Sequence, residues 1–423
     1  MPQRIILLLR KCYIIYKDYM DKKKYCFFSS IPRKKREVIM YRQGRSLMAD
    51  GFEVFNVVCD NQPSEIVEGI NVVPTGYNAH GFFQRFFVAP RKLYKKLLEV
   101  DADVYHTVNV DQLFICLRLK RKGKKVFFEM QEDHPYSLFW KSKAPRWILK
   151  FVVWLMTKWM GYVLRRVDAV TALSYETEVY LKSWGIAPEK IYLWGNFPEI
   201  NKDYNLPLED YLKREDRMLY FGIIYSYSKQ EIILQALKEL PNVKYLVAGV
   251  FMGNELDTYK SMIVNMQEWK DVEFIEGFKH EELVGFIGRS TISNVVRDFS
   301  VYPMEKSGSF GIIKVFESME AALPIICSDM PIYREIMKEY KCGILVDPLN
   351  KDQIRDAIEY LVTHKEEAWK MGQEGRRAVI EKYSWDALSV KYLEIVNGML
   401  KKNDNTKWET HLIRKKKYIG SMR

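Results

Sequence analysis

The chain has 423 residues, 66 Lys+Arg against 54 Asp+Glu, and a net charge of +12. With 48% hydrophobic and 28% charged residues it can bury a sizeable core, which excludes a disordered or low-complexity protein, and its length predicts two or three domains. The six cysteines, Cys12, Cys26, Cys59, Cys116, Cys327 and Cys342, form no C-x-x-C pair, so a disulfide framework or structural zinc site is not expected and a reducing cytoplasm fits.

In chain order, the first apolar run, Ile5 to Leu9, lies between Arg4 and Arg10. It is too short for a signal-peptide core and reads as a first strand. Glu37 to Ala49 reads as a helix closed by Asp50-Gly51, and Val54 to Val58 as the next strand. Phe83 to Leu98 is helical, and Val104–Val108, Lys125–Phe128 and Val167–Ala172 are strands. No stretch offers about 20 uncharged apolar residues, so no transmembrane helix is expected. A break follows at Asn196-Phe197-Pro198, and the polar stretch after it carries Pro207 and little periodicity. The rhythm then restarts with strands at Met218–Phe221, Val243–Val250, Val272–Ile275, Ile292–Val296, Pro324–Cys327 and Gly343–Val346, and a helix at Gln230–Leu240. Such β-α-β alternation predicts parallel sheets covered by helices. The expected domains are residues 1–200 and 218–397, joined by a linker at 201–217 and followed by a basic tail at 398–423. Two such domains predict a cleft between the carboxyl ends of two sheets, where open α/β sheets place ligands.

The charge is unevenly distributed. Residues 1–200 hold 33 Lys+Arg and 20 Asp+Glu, residues 201–400 hold 25 and 32, and residues 401–423 hold 8 and 2. A basic half joined to a mildly acidic one predicts two domains with different partners. The basic segments Arg33-Lys34-Lys35-Arg36, Arg118 to Lys125 and Arg414-Lys415-Lys416-Lys417 together favour an anionic surface. On a helical wheel of Arg146–Arg166, Arg146, Lys150, Lys158 and Arg165 share one side with Trp147 and Trp154. The other side carries Ile148, Leu149, Phe151, Val152, Leu155, Met156, Trp159, Met160, Tyr162 and Val163. This helix is either a core helix with a solvated basic face or one lying in an anionic bilayer surface. Without an aromatic-interleaved platform or groove-reading motif, no nucleic acid partner is expected.

The segment with the most chemistry runs from Gly308 to Asp329. A small-residue turn, Gly308-Ser309-Phe310-Gly311, leads into a helix starting near Ile313. Amides at such a start form an anion site, and Lys314 in the first turn can add a charge-assisted contact to phosphate. Glu317 lies one turn on and can accept both hydroxyls of a ribose. The unit reads as a nucleotide-binding strand–loop–helix–strand.

These residues resemble glycosyltransferase family 4 (glycosyl transferases group 1), in particular members that build surface polysaccharides. The likeness runs through Lys314-Val315-Phe316-Glu317-Ser318-Met319-Glu320-Ala321-Ala322-Leu323-Pro324, Cys342 to Pro348, Met371 to Arg377 and Tyr383-Ser384-Trp385. It extends to Tyr220-Phe221-Gly222 with Lys229, Asn196-Phe197-Pro198, Arg45 to Val54, Asp103 to His106 and Glu132-Asp133-His134-Pro135. The resemblance implies an α/β GT-B fold of two Rossmann-like doubly wound domains facing a central cleft. It implies a retaining, metal-independent transfer from a UDP- or GDP-linked sugar to a glycan or lipid-linked acceptor of capsule, exopolysaccharide or O-antigen type, with no cofactor beyond the nucleotide-sugar substrate.

By the same resemblance the donor is held by Gly222, Lys229, Ser309, Gly311, Ile312, Ile313, Lys314 and Glu317. Glu132, Asp133 and His134 are the nearest acceptor-side candidates for catalysis. The basic amino-terminal half leans on the cytoplasmic face of the membrane as a peripheral protein. The chain departs from the family pattern where Ser309 replaces the first Glu of Glu-x7-Glu, with Glu305 four residues earlier. It departs also at Ile223, where an Arg often follows the glycine, and at Gln131, where a His is usual. Asp101-Ala102-Asp103 is expected to be structural rather than a metal motif. Competing readings are a nucleotide-sugar 2-epimerase of similar architecture and a catalytically degenerate, membrane-bound partner protein.

Overall fold

In the computed structural model of the chain, residues 22–32, 37–79, 81–131, 134–142, 144–202, 204–252, 256–300 and 306–401 are described. The expected strand Ile5–Leu9, the basic segments at 33–36 and 414–417, and Glu132, Asp133 and Glu305 lie outside the described residues.

The first sheet has eight strands: β1 (Lys24–Ser29), β2 (Glu53–Val58), β3 (Glu65–Val67), β4 (Ile70–Pro74), β5 (Val104–Thr107), β6 (Lys125–Phe128), β7 (Ala169–Ala172) and β8 (Ile191–Leu193). Their order is β3-β4-β2-β1-β5-β6-β7-β8. All pairs are parallel except the hairpin β3–β4. The strand near the middle, β1, carries Tyr25-Cys26-Phe27-Phe28, all buried. Such an unbroken apolar run suits a parallel strand covered on both faces. The lysines before it and the polar turn after it hide it from a reading of apolar runs.

Five helices on this half bear on the site: α1 (Glu37–Ala49), α2 (Ala89–Val100), α3 (Leu113–Arg121), α4 (His134–Lys141) and α5 (Arg146–Leu164). The single helix expected over Phe83–Leu98 is divided. Residues Gln84–Val88 wind as a π-helix, and α2 starts afresh with Pro90 in its first turn. Proline lacks the N–H that would continue the ladder, so the chain restarts there. Asp101 closes α2 in a left-handed conformation and pairs with Lys124 at 2.8 Å. The Asp103 carboxylate accepts the Lys24 N–H at 2.8 Å.

The second sheet has six parallel strands in the order β11-β10-β9-β12-β13-β14. They are β9 (Arg217–Ile224), β10 (Lys244–Phe251), β11 (Val272–Glu276), β12 (Ile292–Val295), β13 (Ile325–Ser328) and β14 (Gly343–Val346). Helices α6 (Gln230–Leu237) and α7 (Ile313–Glu320) also belong to this half. A last helix, α8 (residues 385–401), returns to the first half. Trp385 Nε1 donates to Ser46 Oγ at 3.0 Å, Tyr392 OH donates to Tyr25 OH at 2.8 Å, and Asn397 Nδ2 donates to Asp50 at 2.8 Å. Residues 385–397, assigned from sequence to the second domain, therefore lie against the first sheet and tie the two halves together.

Candidate functional site: lysines at the carboxyl ends of the second sheet

Strand β9 ends in Gly222, at φ +100°, a conformation that a residue with a Cβ adopts only under strain. Its register partner on β10 is Gly249. A Cβ on Gly249 would sit 2.0 Å from the Gly222 carbonyl oxygen, so the strands reach this close approach only with glycine there. The opening faces the start of α7, where Ile312 has no side-chain cap.

Lys314, in the first turn of α7, is 8% exposed. Its ammonium lies 3.9 Å over the Tyr220 ring and 3.8 Å from where a Gly222 side chain would begin, and it has no hydrogen-bond partner among the described residues. Burial pushes the Lys314 pKa well below its ordinary value. The nearby Arg297 guanidinium pushes it the same way, against a smaller opposing pull from Glu317. Glu317 lies one turn on, half-buried.

Lys229 adopts a left-handed conformation, φ +48°, between a short 3₁₀ turn (Ser226–Ser228) and α6. Its ammonium is 3.3 Å from Asp298 Oδ2. Asp298 follows β12, and its N–H donates to the Tyr227 carbonyl at 2.7 Å. Burial raises the Asp298 carboxyl, but the Ser300 donors and Lys229 outweigh it and hold the group below its ordinary range. Of the sequence-predicted residues, Gly222 and Lys314 thus lie together, Glu317 lies one turn along α7, and Lys229 is held by Asp298 after β12.

Ser309 and Gly311 lie instead in the seam between the two halves. Ser309 Oγ donates to the Leu173 carbonyl at 3.4 Å and accepts the Gly311 N–H at 3.1 Å. Beside them the Phe310 N–H donates to Leu173 O at 2.9 Å, and the Asn196 N–H donates to Phe310 O at 2.9 Å. Ser307 bonds Glu176 through its N–H, at 2.8 Å, and through its hydroxyl. Ile312 is buried beside this seam, and Ile313 opens α7.

On the opposite half, His134 begins α4 and is partly buried. The carboxyl ends of the first sheet gather polar groups: His106 and Gln131, which the resemblance touched, and Ser30, Gln43, Arg85, Asp111 and Glu129, which sequence reasoning missed. Ser30 Oγ donates to Asp111 at 2.5 Å, with Arg85 3.5 Å from the same carboxylate. Deeper, the Glu129 carboxylate lies 3.2 Å from His106 Nε2, and Gln43 and Gln131 donate to it at 2.7 and 3.1 Å. Burial raises the Glu129 pKa, and His106, Gln43 and Gln131 more than reverse that. His106 Nδ1 lies 2.9 Å from Tyr25 OH, which also meets Tyr392 of α8. The available signal was positional: these residues sit at or just beyond the carboxyl ends of parallel strands, where such sheets place ligands.

Helix α5 buries Leu149, Met160 and Val163. Met156 packs against the core, but most of the predicted apolar side is uncovered: Ile148, Phe151, Val152, Leu155, Trp159 and Tyr162 are exposed, with Phe151 at 61%. Trp147 (74%) and Trp154 extend this face toward Lys150 and Lys158, which are also exposed. The reason is tertiary, since α3 and α4 pack against α5 and leave its other side uncovered. Among the described residues, α5 is one helix long and apolar enough by composition to cross a membrane. Among the same residues, no cluster of His, Cys, Asp and Glu suited to a metal occurs.

Two family profiles match the chain: "Glycosyltransferase Family 4" over residues 37–201 and "Glycosyl transferases group 1" over residues 210–378. A GDP-mannose-dependent alpha-(1-6)-phosphatidylinositol monomannoside mannosyltransferase of Mycobacterium tuberculosis is 24% identical over 170 residues, a match spanning 38% of this chain and 42% of that protein. A phosphatidyl-myo-inositol mannosyltransferase of Mycolicibacterium smegmatis is 23% identical over 345 residues, 79% of this chain and 81% of that protein. Among solved structures, sucrose-phosphate synthase from Thermosynechococcus elongatus superposes with a TM-score of 0.65 at 15% identity, covering 90% of this chain and 100% of that one. Anabaena HepE in complex with UDP gives 0.65 at 12% identity, covering 89% and 100%. With both halves matched and the two-sheet architecture shared, the chain belongs to the group 1, family 4 glycosyltransferases and has the GT-B fold.

Proposed function

We propose that the protein is a retaining glycosyltransferase that moves a sugar from a UDP- or GDP-linked donor to a lipid-linked glycan in surface polysaccharide assembly. The observation that carries this is Lys314, a buried ammonium in the first turn of α7 beside Gly222, with no hydrogen-bond partner among the described residues. A buried charge is maintained against its desolvation penalty only when a counter-charge completes it. The diphosphate of a nucleotide-sugar supplies that charge, with Lys229 beside it and Glu317 placed for the ribose hydroxyls. Ile312 and Ile313 bring the backbone past the diphosphate, and Ser309 and Gly311, in the seam, hold the loop that leads to them.

In the transfer, the bond from the anomeric carbon to the diphosphate oxygen breaks. The cations stabilise the charge that develops on the departing nucleoside diphosphate. The acceptor hydroxyl attacks from the same face, and its proton passes to the departing phosphate oxygen, the nearest base in that geometry. Glu132, Asp133 and His134 are assigned to orient the acceptor. Holding both sugars in the cleft supplies proximity and excludes water.

Two sequence relatives are named for phosphatidylinositol-based acceptors, which supports an amphiphilic acceptor here. The exposed aromatic face of α5, edged by Lys150 and Lys158, supports peripheral attachment to an anionic membrane surface. The buried free thiols Cys26, Cys59, Cys116, Cys327 and Cys342 support the cytoplasmic face.

The test is thermal unfolding with UDP, GDP, CDP and ADP, followed by transfer of a radiolabelled sugar from the stabilising donor to a membrane extract. A selective upward shift, and a product with the donor's anomeric configuration, are expected. No shift with any nucleotide in folded protein overturns the donor site, and free donor epimerisation without acceptor overturns transfer in favour of the epimerase.

A further inference from the structure

Glu129 is a buried charge that the transfer described above does not use. It directly follows β6 and is 4% exposed. Gln43 of α1 donates to its Oε2 at 2.7 Å, and Gln131 donates to its Oε1 at 3.1 Å. His106 Nε2, on β5, lies 3.2 Å from Oε2. Two hydroxyls stand behind that imidazole. Tyr392 OH, on α8, donates to Tyr25 OH at 2.8 Å, and Tyr25 OH lies 2.9 Å from His106 Nδ1. Tyr25 receives the Tyr392 proton, so its own proton goes to Nδ1. The neutral ring then carries its proton on Nε2, next to Glu129. The carboxylate is thus held from α1, from β5 and, through β1, from α8.

The backbone here is pinned as well. The Glu129 N–H donates to Thr107 O at 3.0 Å, and the Met130 N–H donates to Thr171 Oγ1 at 2.8 Å. These bonds fix where the chain leaves the first sheet, one residue before Glu132. They do not fix which way the Gln131 carboxamide turns. Its two ends are alike in shape and opposite in chemistry, one donating and one accepting. An ionised carboxylate only accepts, so it selects the Nε2 end and leaves Oε1 to accept a proton from elsewhere. Apolar residues of similar size in place of a buried ionic group are often as stable or more so. A buried carboxylate gathering three side-chain nitrogens from separate elements therefore points to orientation rather than to stability.

We propose that Glu129 is a positioning residue of the acceptor side: it fixes the Gln131 carboxamide with Oε1 turned away from it, so that this oxygen accepts a hydrogen bond from a hydroxyl of the acceptor. The inference rests on the transferase reading above, in which residues 132–134 orient the acceptor. It adds the chemistry that the acceptor brings to this point, a hydroxyl donor of a sugar or polyol next to the hydroxyl that attacks.

The experiment titrates a membrane lipid extract, at saturating labelled donor, against the unaltered protein, Glu129→Gln, Gln131→Ala and the double variant. Calorimetry on the same proteins reads the affinity for the nucleoside diphosphate that stabilises the unaltered protein. In Glu129→Gln the new amide both donates and accepts, so it no longer selects one end of Gln131. The half-saturating amount of extract is expected to rise about tenfold or more, as for a lost charged hydrogen bond. Nucleotide affinity is expected to stay within about twofold, since the donor site shares no partner with Glu129. Gln131→Ala is expected to act alike, and the double variant to be no worse than Gln131→Ala alone. Additive losses, an equal weakening of nucleotide, or an unchanged half-saturating amount in Gln131→Ala overturns the inference. If Glu129→Gln does not fold, Gln131→Ala carries the test by itself. Hydrogen exchange without acceptor is expected to quicken in Glu129→Gln in the peptide that holds Met130 and Gln131, and not in the peptide that holds the start of α7. No transfer by the unaltered protein overturns the transferase reading instead. The exchange result then decides by itself whether Glu129 fixes Gln131, and unchanged exchange overturns it.

Discussion

Replacing Lys314 by methionine should stabilise the empty protein and abolish its response to nucleotide. The side chain is 8% exposed, and its ammonium has no hydrogen-bond partner among the described residues. Replacing buried ionic groups by apolar residues of similar size typically stabilises by about 1–4 kcal/mol. The contact with Tyr220 at 3.9 Å opposes this, since a cation–π contact contributes roughly 0.5–2 kcal/mol. A methionine sulfur on the same ring restores about 0.3–1.5 kcal/mol of that. The net expectation for Lys314→Met is a gain of about 1–3 kcal/mol at pH 7.

The sign of the pH dependence follows from burial, which lowers the Lys314 pKa below its ordinary 10.5. Between the lowered folded value and 10.5 the unfolded chain binds more protons, so this lysine makes stability rise with pH. The advantage of Lys314→Met should therefore be largest at low pH and shrink as pH rises toward 10. Nucleotide at 100 times its Kd should add about 2.7 kcal/mol to the unaltered protein and nearly nothing to the variant. Urea unfolding of both proteins across this pH range, with and without nucleotide, reads all three quantities. A variant destabilised by more than about 1 kcal/mol with no narrowing at high pH would refute the reasoning, because Lys314 would then be satisfied within the protein.

Other outcomes follow from other parts of the structure. Glu317→Gln should weaken binding of the ribonucleoside diphosphate about tenfold or more, as for a charged hydrogen bond. The same substitution should leave binding of the 2′,3′-dideoxy analogue unchanged, and calorimetry with the two ligands separates ribose recognition from a general effect. Neutralising Arg146, Lys150, Lys158 and Arg165 should release the protein from vesicles containing anionic lipid, since each basic residue near such a surface contributes about 1 kcal/mol; unchanged co-sedimentation would make α5 a helix without a membrane role. Gly249→Ala places a Cβ 2.0 Å from the Gly222 carbonyl and should destabilise by about 3 kcal/mol or more by forcing the strands apart, seen as a lower denaturant midpoint. Tyr392→Phe removes the hydroxyl linking α8 to Tyr25 and should lower stability by about 1 kcal/mol, measured by the same denaturation.

Local patterns made much of this molecule legible. The apolar runs at Lys125–Phe128 and Gly343–Val346 coincide with β6 and β14, and the helix start near Ile313 coincides with α7, because each pattern reports the burial of its own residues. The strand β1 escaped because its aromatic run is short and sits after three lysines. The break at Gln84–Val88 escaped because a π-turn has no sequence period of its own. In the site, Lys314 and Glu317 were legible as one helical turn after a small-residue loop. Arg297 and Asp298 were not, because their relation to Lys229 and Lys314 depends on β12 pairing beside β9 across a long stretch of sequence.

From sequence alone come the two α/β halves, their opposite charge and the helix start near Ile313. Each is a property of neighbours along the chain, set by periodicity and residue type. Tertiary structure alone decided that Asp298 meets Lys229, which side of α5 stays uncovered, and that Ser309 serves the seam between the halves. Those outcomes depend on distances between residues far apart in the chain, and only the packing of strands and helices sets such distances.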